Sequence, residues 1–227
     1  MEASADLSTI VRGAFADALA LVLPVVCAGC DEPDIALCAA CSECLRPAPV
    51  RRDLASVTVW SGLRFEGVPA RAIRALKEES RTGLARDLAP ALRSAVERAG
   101  GGTLVPIPTS RASFRRRGFR VAELVAGRAG LPSERLLRVR RQTADQRGLD
   151  LADRRANVAG SLLARDAASR RVIVLDDVLT TGATIEEAVR ALTAGGALVI
   201  GAVTIAATPR RNQRQSEHSA DTSETRA

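Results

Sequence analysis

The chain has 227 residues and 46% hydrophobic content, enough for one main globular domain and a small appendage. Aromatic content of 2%, with no tyrosine, excludes a nucleic-acid platform built on base stacking. The formal charge is +7, and with Lys77 as the only lysine, in ALKEES, and His218 as the only histidine, both a Walker A loop and histidine-assisted hydrolysis are excluded.

Leu7 to Leu23 is predicted as a helix with one apolar face, ended by Pro24. Asp17 and Pro24 interrupt the apolar run, so no membrane span is expected there, and the acidic start MEASAD lacks the basic region of a signal peptide. A cytoplasmic protein is therefore expected. Cys27, Cys30, Cys38 and Cys41 follow with the spacing C-x2-C-x7-C-x2-C, and Cys44 stands three positions on. Two knuckles that each present two thiolates can close a tetrahedral structural Zn²⁺ site, with Cys44 spare or substituting for Cys41. A disulfide framework and unmetallated thiols are the alternatives. Residues 1–50 are read as the N-terminal helix and cysteine module, 51–208 as the main domain and 209–227 as a disordered polar tail, with PAPVRRD as a short linker.

SVTVWSGL is predicted as a strand, with Trp60 in the core; GVPARAIRALKEE and GLARDLAPALRSAVERA are predicted as helices, the second stopped by GGG. LVPIPTSR reads as a short strand running into a Pro-rich loop, RGFRVAELVAGRAG as a helix ending at Gly130, and RLLRVR as a strand. QTADQRGLDLADRRANVAGS is long, polar and weakly periodic, as functional lids often are. RRVIVLDD, a helix from Thr184 and ALVIGAVTIAAT complete a strand, helix, strand unit, so the fold class is α/β. Arg111 to Arg155 contains thirteen arginines against five carboxylates. That field suits a polyanionic partner, small phosphate or nucleic acid; a solvated basic face is the plain alternative.

The chemistry concentrates in VIVLDDVLTTGAT. Thr180, Thr181, Gly182, Ala183 and Thr184 offer hydroxyls and backbone N–H groups at a helix start, an environment suited to phosphate. Asp176 and Asp177, expected to face solvent, do not suit phosphate but can accept hydrogen bonds from ribose hydroxyls. The loop thus reads as a ribose 5-phosphate site. An Asp-x-Asp phosphatase would want an acid where Val178 stands, and a Thr-capped helix beside solvated aspartates is the remaining alternative.

This segment resembles the 5-phosphoribosyl 1-pyrophosphate (PRPP) signature of type I phosphoribosyltransferases. The four-cysteine module, ALKEESRTGLARDLAPAL, VPIPTSR, RRRGF, QTADQRGLDLADRRANVAGS and the signature also stand in the order of the ComF family, phosphoribosyltransferase-like proteins linked to natural competence. The resemblance implies a type I phosphoribosyltransferase fold, a twisted and mainly parallel sheet flanked by helices, with a small zinc module. It implies catalytic and ribose-binding roles for Asp176 and Asp177, phosphate binding by Thr180 to Thr184, and a pyrophosphate loop with Ser110 and Arg111. Lys77, Arg117, Gly118, Gln146, Arg154, Arg155 and Asn157 would belong to the substrate-facing or lid segments. PRPP with Mg²⁺ is the implied ligand, a homodimer is a further expectation, and single-stranded DNA or competence machinery is the implied partner of the alternative, non-catalytic reading. The chain departs from the family at Arg120 and Val121, where RGFNQAE becomes RGFRVAE, and at Glu78, where LKF becomes LKE.

Such a reaction needs no histidine. Cleavage of the bond between ribose C1 and diphosphate builds positive charge on the sugar and negative charge on the leaving group, so fixed charges and positioning can supply most of the catalysis. Lys77, alone among many arginines, is either an ordinary surface lysine or a compact ammonium at a phosphate or acceptor.

Overall fold

The computed structural model describes residues 25–140 and 159–209. The predicted helix from Leu7 to Leu23, most of the segment expected as a lid with Gln146, Arg154, Arg155 and Asn157, and the stretch expected as a tail with His218 lie outside the described residues.

A five-stranded sheet forms the centre, in the order β1 (Val50–Asp53), β2 (Thr58–Arg64), β7 (Leu198–Ala207), β6 (Arg171–Leu179), β3 (Thr103–Pro106). β2, β7, β6 and β3 run parallel and β1 adds an antiparallel edge. Val172 to Leu175 are buried on both faces of the sheet, as an uninterrupted apolar run demands. β1 occupies the stretch read as a linker: VRRD lacks apolar alternation, because an edge strand needs few buried side chains.

One face of the sheet is covered by α2 (Gly67–Glu78), α3 (Leu84–Arg98) and α5 (Val121–Arg128), whose buried side chains, including Ile73, Leu88, Leu92 and Val125, share a core with Leu63, Ile173, Leu175 and Ile205. Contact is close where β2 crosses α3, since a Cβ on Gly62 would stand 2.1 Å from the Ala91 carbonyl oxygen. α6 (Ala183–Ala194) covers the other face with Ile185, Ala188, Val189 and Leu192, and beside it stands a two-stranded sheet of β4 (Leu137–Val139) and β5 (Leu162–Ala164). The short strand β5 was not anticipated. Glu187 of α6 anchors it by accepting from the Leu162 amide at 2.9 Å, while Arg190 pairs with the same carboxylate at 2.6 Å. The Arg190 guanidinium, opposed by burial and helped by the amide, brings the Glu187 carboxyl down to about 2.

α1 (Ala39–Glu43) belongs to the cysteine module, which packs on α2. An unpredicted helix, α4 (Arg111–Arg117), ends at Gly118, whose φ of 79° breaks the ladder, and the helix expected from Arg117 to Gly130 begins only at Val121, as α5. The two departures at its start are structural. Arg120 lies over the Phe114 ring at 4.3 Å and reaches Glu123 at 3.6 Å, and Val121 is buried at 2% exposure.

Candidate active site and metal centre

The acidic pair lies within β6, which continues past the apolar run to Leu179, so both aspartates belong to the strand. Successive strand residues face opposite sides of the sheet. Asp176 lies in register with Thr204 of β7, itself paired with Ser61 of β2, on the α6 side. Ser61 donates to Thr204 at 2.7 Å and Thr204 to the Ala206 carbonyl at 3.0 Å, so both buried hydroxyls are satisfied within the sheet. Asp177 faces the α2 side, where its Oδ2 stands 3.0 Å from the Lys77 ammonium at the end of that helix.

Contrary to the sequence-based expectation, both aspartates are half-buried rather than solvent-facing. Burial, and then the charge of Asp177, push the Asp176 carboxyl up to about 7. A 2.8 Å hydrogen bond from the Asp177 amide and the nearby Lys77 charge oppose that rise. Asp176 is thus poised to exchange a proton near neutral pH.

The loop from Thr180 to Gly182 joins β6 to α6, and Ala183 and Thr184 begin the helix. The hydroxyl-bearing Thr180, Thr181 and Thr184 are exposed, while Gly182 is buried with φ of 90°. The positive φ favours glycine at 182, and an added Cβ would stand 2.6 Å from Leu54 Cδ1, so that side chain would have to move to admit it. Asp176, Thr180, Gly182 and Thr184 line one hollow at the carboxyl end of the sheet, the place where open α/β sheets take ligands.

The β1 hairpin supports this loop, a role missed when its residues were read as a linker. Arg52 donates to the Thr180 carbonyl at 2.9 Å and also to the Thr208 carbonyl, Leu54 packs over Gly182, and the Ala55 amide donates to Glu186 at 3.2 Å. On the opposite flank, β3 leaves the sheet next to β6, with the Ile107 amide bonded to the Leu175 carbonyl at 2.9 Å. Residues 107–110 then lead into α4, where Ser110 is the N-cap, accepting from the Ser113 amide at 3.1 Å, and Arg111 is the first helical residue. Arg117 and Gly118 close α4, and Arg116 and Arg117 reach Glu78 of α2 at 3.0 and 3.5 Å.

In the cysteine module, the Sγ atoms of Cys27, Cys30, Cys38 and Cys41 lie within 4.8 Å of one another, and Cys30 and Cys38 approach to 3.7 Å. Tetrahedral zinc with Zn–S bonds of about 2.3 Å separates its sulfurs by roughly 3.8 Å, so the cluster fits that ion. Cys44 is exposed, outside the cluster, with its thiol directed to the Ala40 carbonyl. Burial raises the Cys27 thiol, but N–H groups of Cys38, Gly29 and Cys30 outweigh it and bring it down to about 6, whereas burial and Cys38 push Cys41 up. Gly29 permits this packing, because a Cβ there would stand 2.3 Å from Cys41 Sγ.

Among the described residues, no helix is long and apolar enough to cross a membrane. No curated protein matches the chain. Solved structures similar to it include glutamine PRPP amidotransferase from B. subtilis, 26% identical over 56% of this chain with a TM-score of 0.36, and orotate phosphoribosyltransferase from Aeropyrum pernix, 16% identical over 80% of this chain with a TM-score of 0.34. The chain spans 26% of the length of the first and 97% of the second. The phosphoribosyl transferase domain family matches residues 113–226, half of the chain, including the whole acidic strand and threonine loop. The chain belongs to the phosphoribosyl transferase domain family.

Proposed function

We propose that the chain binds PRPP and transfers its phosphoribosyl group to an acceptor. The observation that carries this reading is the hollow where the Asp176 carboxylate and the Thr180 to Thr184 loop meet, with Asp177, the next residue of the strand, paired to Lys77 at 3.0 Å on its α2 side. The exposed threonine hydroxyls and the start of α6 suit the 5-phosphate. Asp176 and Asp177 then accept hydrogen bonds from the ribose hydroxyls and lie where positive charge grows on the sugar. Because the Asp176 carboxyl sits near 7, hydroxyl donors favour its ionised form, and ligand binding at neutral pH releases part of a proton. In this reading Lys77, and Arg117 at the end of α4, meet the leaving diphosphate by exchanging their present partners Asp177 and Glu78 for it.

Mg²⁺ suits this site through the ligand: both carboxylates have roles at the ribose and one already holds Lys77, so the ion would ride on diphosphate oxygens and waters. When bound, it neutralises leaving-group charge. Zn²⁺ in the four-cysteine cluster is structural in this reading, fixing the module against α2.

The order of motifs supports a ComF-type protein, acting in the cytoplasm in DNA uptake or nucleotide metabolism. The non-catalytic reading, in which the arginine-rich segment holds single-stranded DNA, has less support. Arg116 and Arg117 are engaged by Glu78, which reduces the field α4 offers to phosphates. Calorimetry with PRPP and Mg²⁺, followed by an acceptor screen that monitors diphosphate release, tests the proposal. Binding with release for at least one acceptor is expected. Binding with no release for any acceptor favours the DNA reading, and failure to bind either PRPP or ribose 5-phosphate overturns the assignment of the loop.

A further inference from the structure

Two adjacent residues at the end of α2 make opposite contacts. Lys77 holds the Asp177 carboxylate at 3.0 Å, and Glu78 holds Arg116 at 3.0 Å and Arg117 at 3.5 Å. The two arginines differ in setting. Arg116 is 63% exposed, so its pairing with Glu78 is a solvated surface contact, whereas the Arg117 side chain is 11% exposed. Among the described residues, the Arg117 Nε is the one buried side-chain nitrogen or oxygen with no hydrogen-bond partner. A desolvated donor without an acceptor is costly and calls for an explanation, which an anionic ligand oxygen would supply. Glu78 meanwhile is 53% exposed, and at 3.5 Å its contact with Arg117 is long for a charge-assisted hydrogen bond. Arg117 is therefore a cation held by a weak, half-exposed counterion, and that counterion is the chain neighbour of the lysine that holds Asp177.

We infer that Glu78 is an internal stand-in for the diphosphate: a positioning residue that keeps Arg117 in place without ligand and is displaced from it when a diphosphate binds. The inference rests on the PRPP reading for its setting. It goes further by naming the residue that sets how strongly the site prefers a diphosphate-bearing ligand over a monophosphate. Displacing a carboxylate opposes diphosphate binding, while ribose 5-phosphate, held at the threonine loop, does not reach this pair.

The test is titration of wild type and Glu78→Gln with three ligands: inorganic diphosphate, PRPP with Mg²⁺, and ribose 5-phosphate. Melting curves serve as the fold control. Glu78→Gln should bind diphosphate and PRPP about threefold to fivefold more tightly, the scale of a half-exposed ion pair, and ribose 5-phosphate as wild type does. In an Arg117→Gln background the Glu78→Gln gain should vanish. Equal or weaker diphosphate binding by a normally folded Glu78→Gln, or a gain that persists without Arg117, would overturn the inference. A residue that merely tied α2 to α4 would weaken all three ligands together and lower the melt, which would also overturn it. Wild-type binding of ribose 5-phosphate judges the loop assignment separately, so a failed exchange and a failed site are distinguishable.

Discussion

The cysteine module and the acidic strand each crowd groups that repel one another once ionised, and they resolve the conflict differently. Four thiols meet within 4.8 Å, with the Gly29 and Cys38 amides donating to Cys27, an arrangement that becomes fully ionised only around a metal cation. Asp176 and Asp177 share the single Lys77, which satisfies one carboxylate and leaves the other raised to about 7. A thiol cluster whose neighbouring Arg71 is already paired with Asp31 suits a permanent ion. A pair that is half neutralised from within suits a ligand that comes and goes.

The largest effect should follow from breaking the first cluster. Cys30→Ser is expected to reduce zinc from one per chain to none in protein purified without added metal, and to lower the melting temperature, because the module's core rests on Cys27, Cys38 and Cys41. Metal analysis and a melt check it; full zinc occupancy in the variant would contradict the four-cysteine assignment. Next comes Gly182→Val, which forces a side chain into positive φ and against Leu54, at a cost of about 1–3 kcal/mol from strain alone. Affinity for both PRPP and ribose 5-phosphate should fall, since the phosphate loop itself is disturbed.

Lys77→Met sharpens the comparison by turning the acidic pair into an uncompensated cluster like the thiols. PRPP affinity is expected to drop about tenfold, with one charge-assisted contact gone, while the Asp176 carboxyl moves higher because Lys77 normally draws it down. Titration at several pH values reads both. The remaining effect is read in stability rather than in affinity. A carboxyl raised from 3.8 to about 7 binds its proton more tightly in the folded than in the unfolded chain, so wild-type stability should decline as pH rises through that window, the penalty being complete above about 7. Asp176→Asn should remove that contribution, so that its melting temperature gains on wild type toward pH 8; an unchanged difference between pH 4 and 8 would mean Asp176 titrates normally.

The same contrast explains what was legible in the sequence. The cysteine cluster is encoded within fifteen positions, Cys27 to Cys41, and the strand, loop and helix from Val172 to Leu192 are contiguous, so spacing and periodicity reveal them. What completes the site is remote. Lys77 left two readings open because nothing beside it in the chain indicates Asp177, and the clamp of Glu78 on Arg117 is likewise tertiary. Arg52 and Leu54 lack a signal because an edge strand and its turn carry little apolar pattern, and α4 lacks one because its seven residues bury no side chain. The expectation that both aspartates face solvent failed for a related reason. The segment read as a strand, RRVIVLDD, stops at the acids, whereas sheet pairing carries the strand on to Leu179 and leaves both acids flanked by paired backbone.

The central claim, that the acidic pair holds a ribose, is tested most directly by replacing Asp176 and Asp177 together with Asn and titrating PRPP with Mg²⁺ against variant and wild type. Asn is isosteric, and removing the Asp176 charge relieves its burial, so a normal melt is expected. PRPP affinity should fall about tenfold to thirtyfold, as two charge-assisted hydrogen bonds become neutral ones at a loss on the order of 1 kcal/mol each. Unchanged PRPP binding in a variant with a normal melt would show that the aspartates are not ribose ligands and would contradict the account.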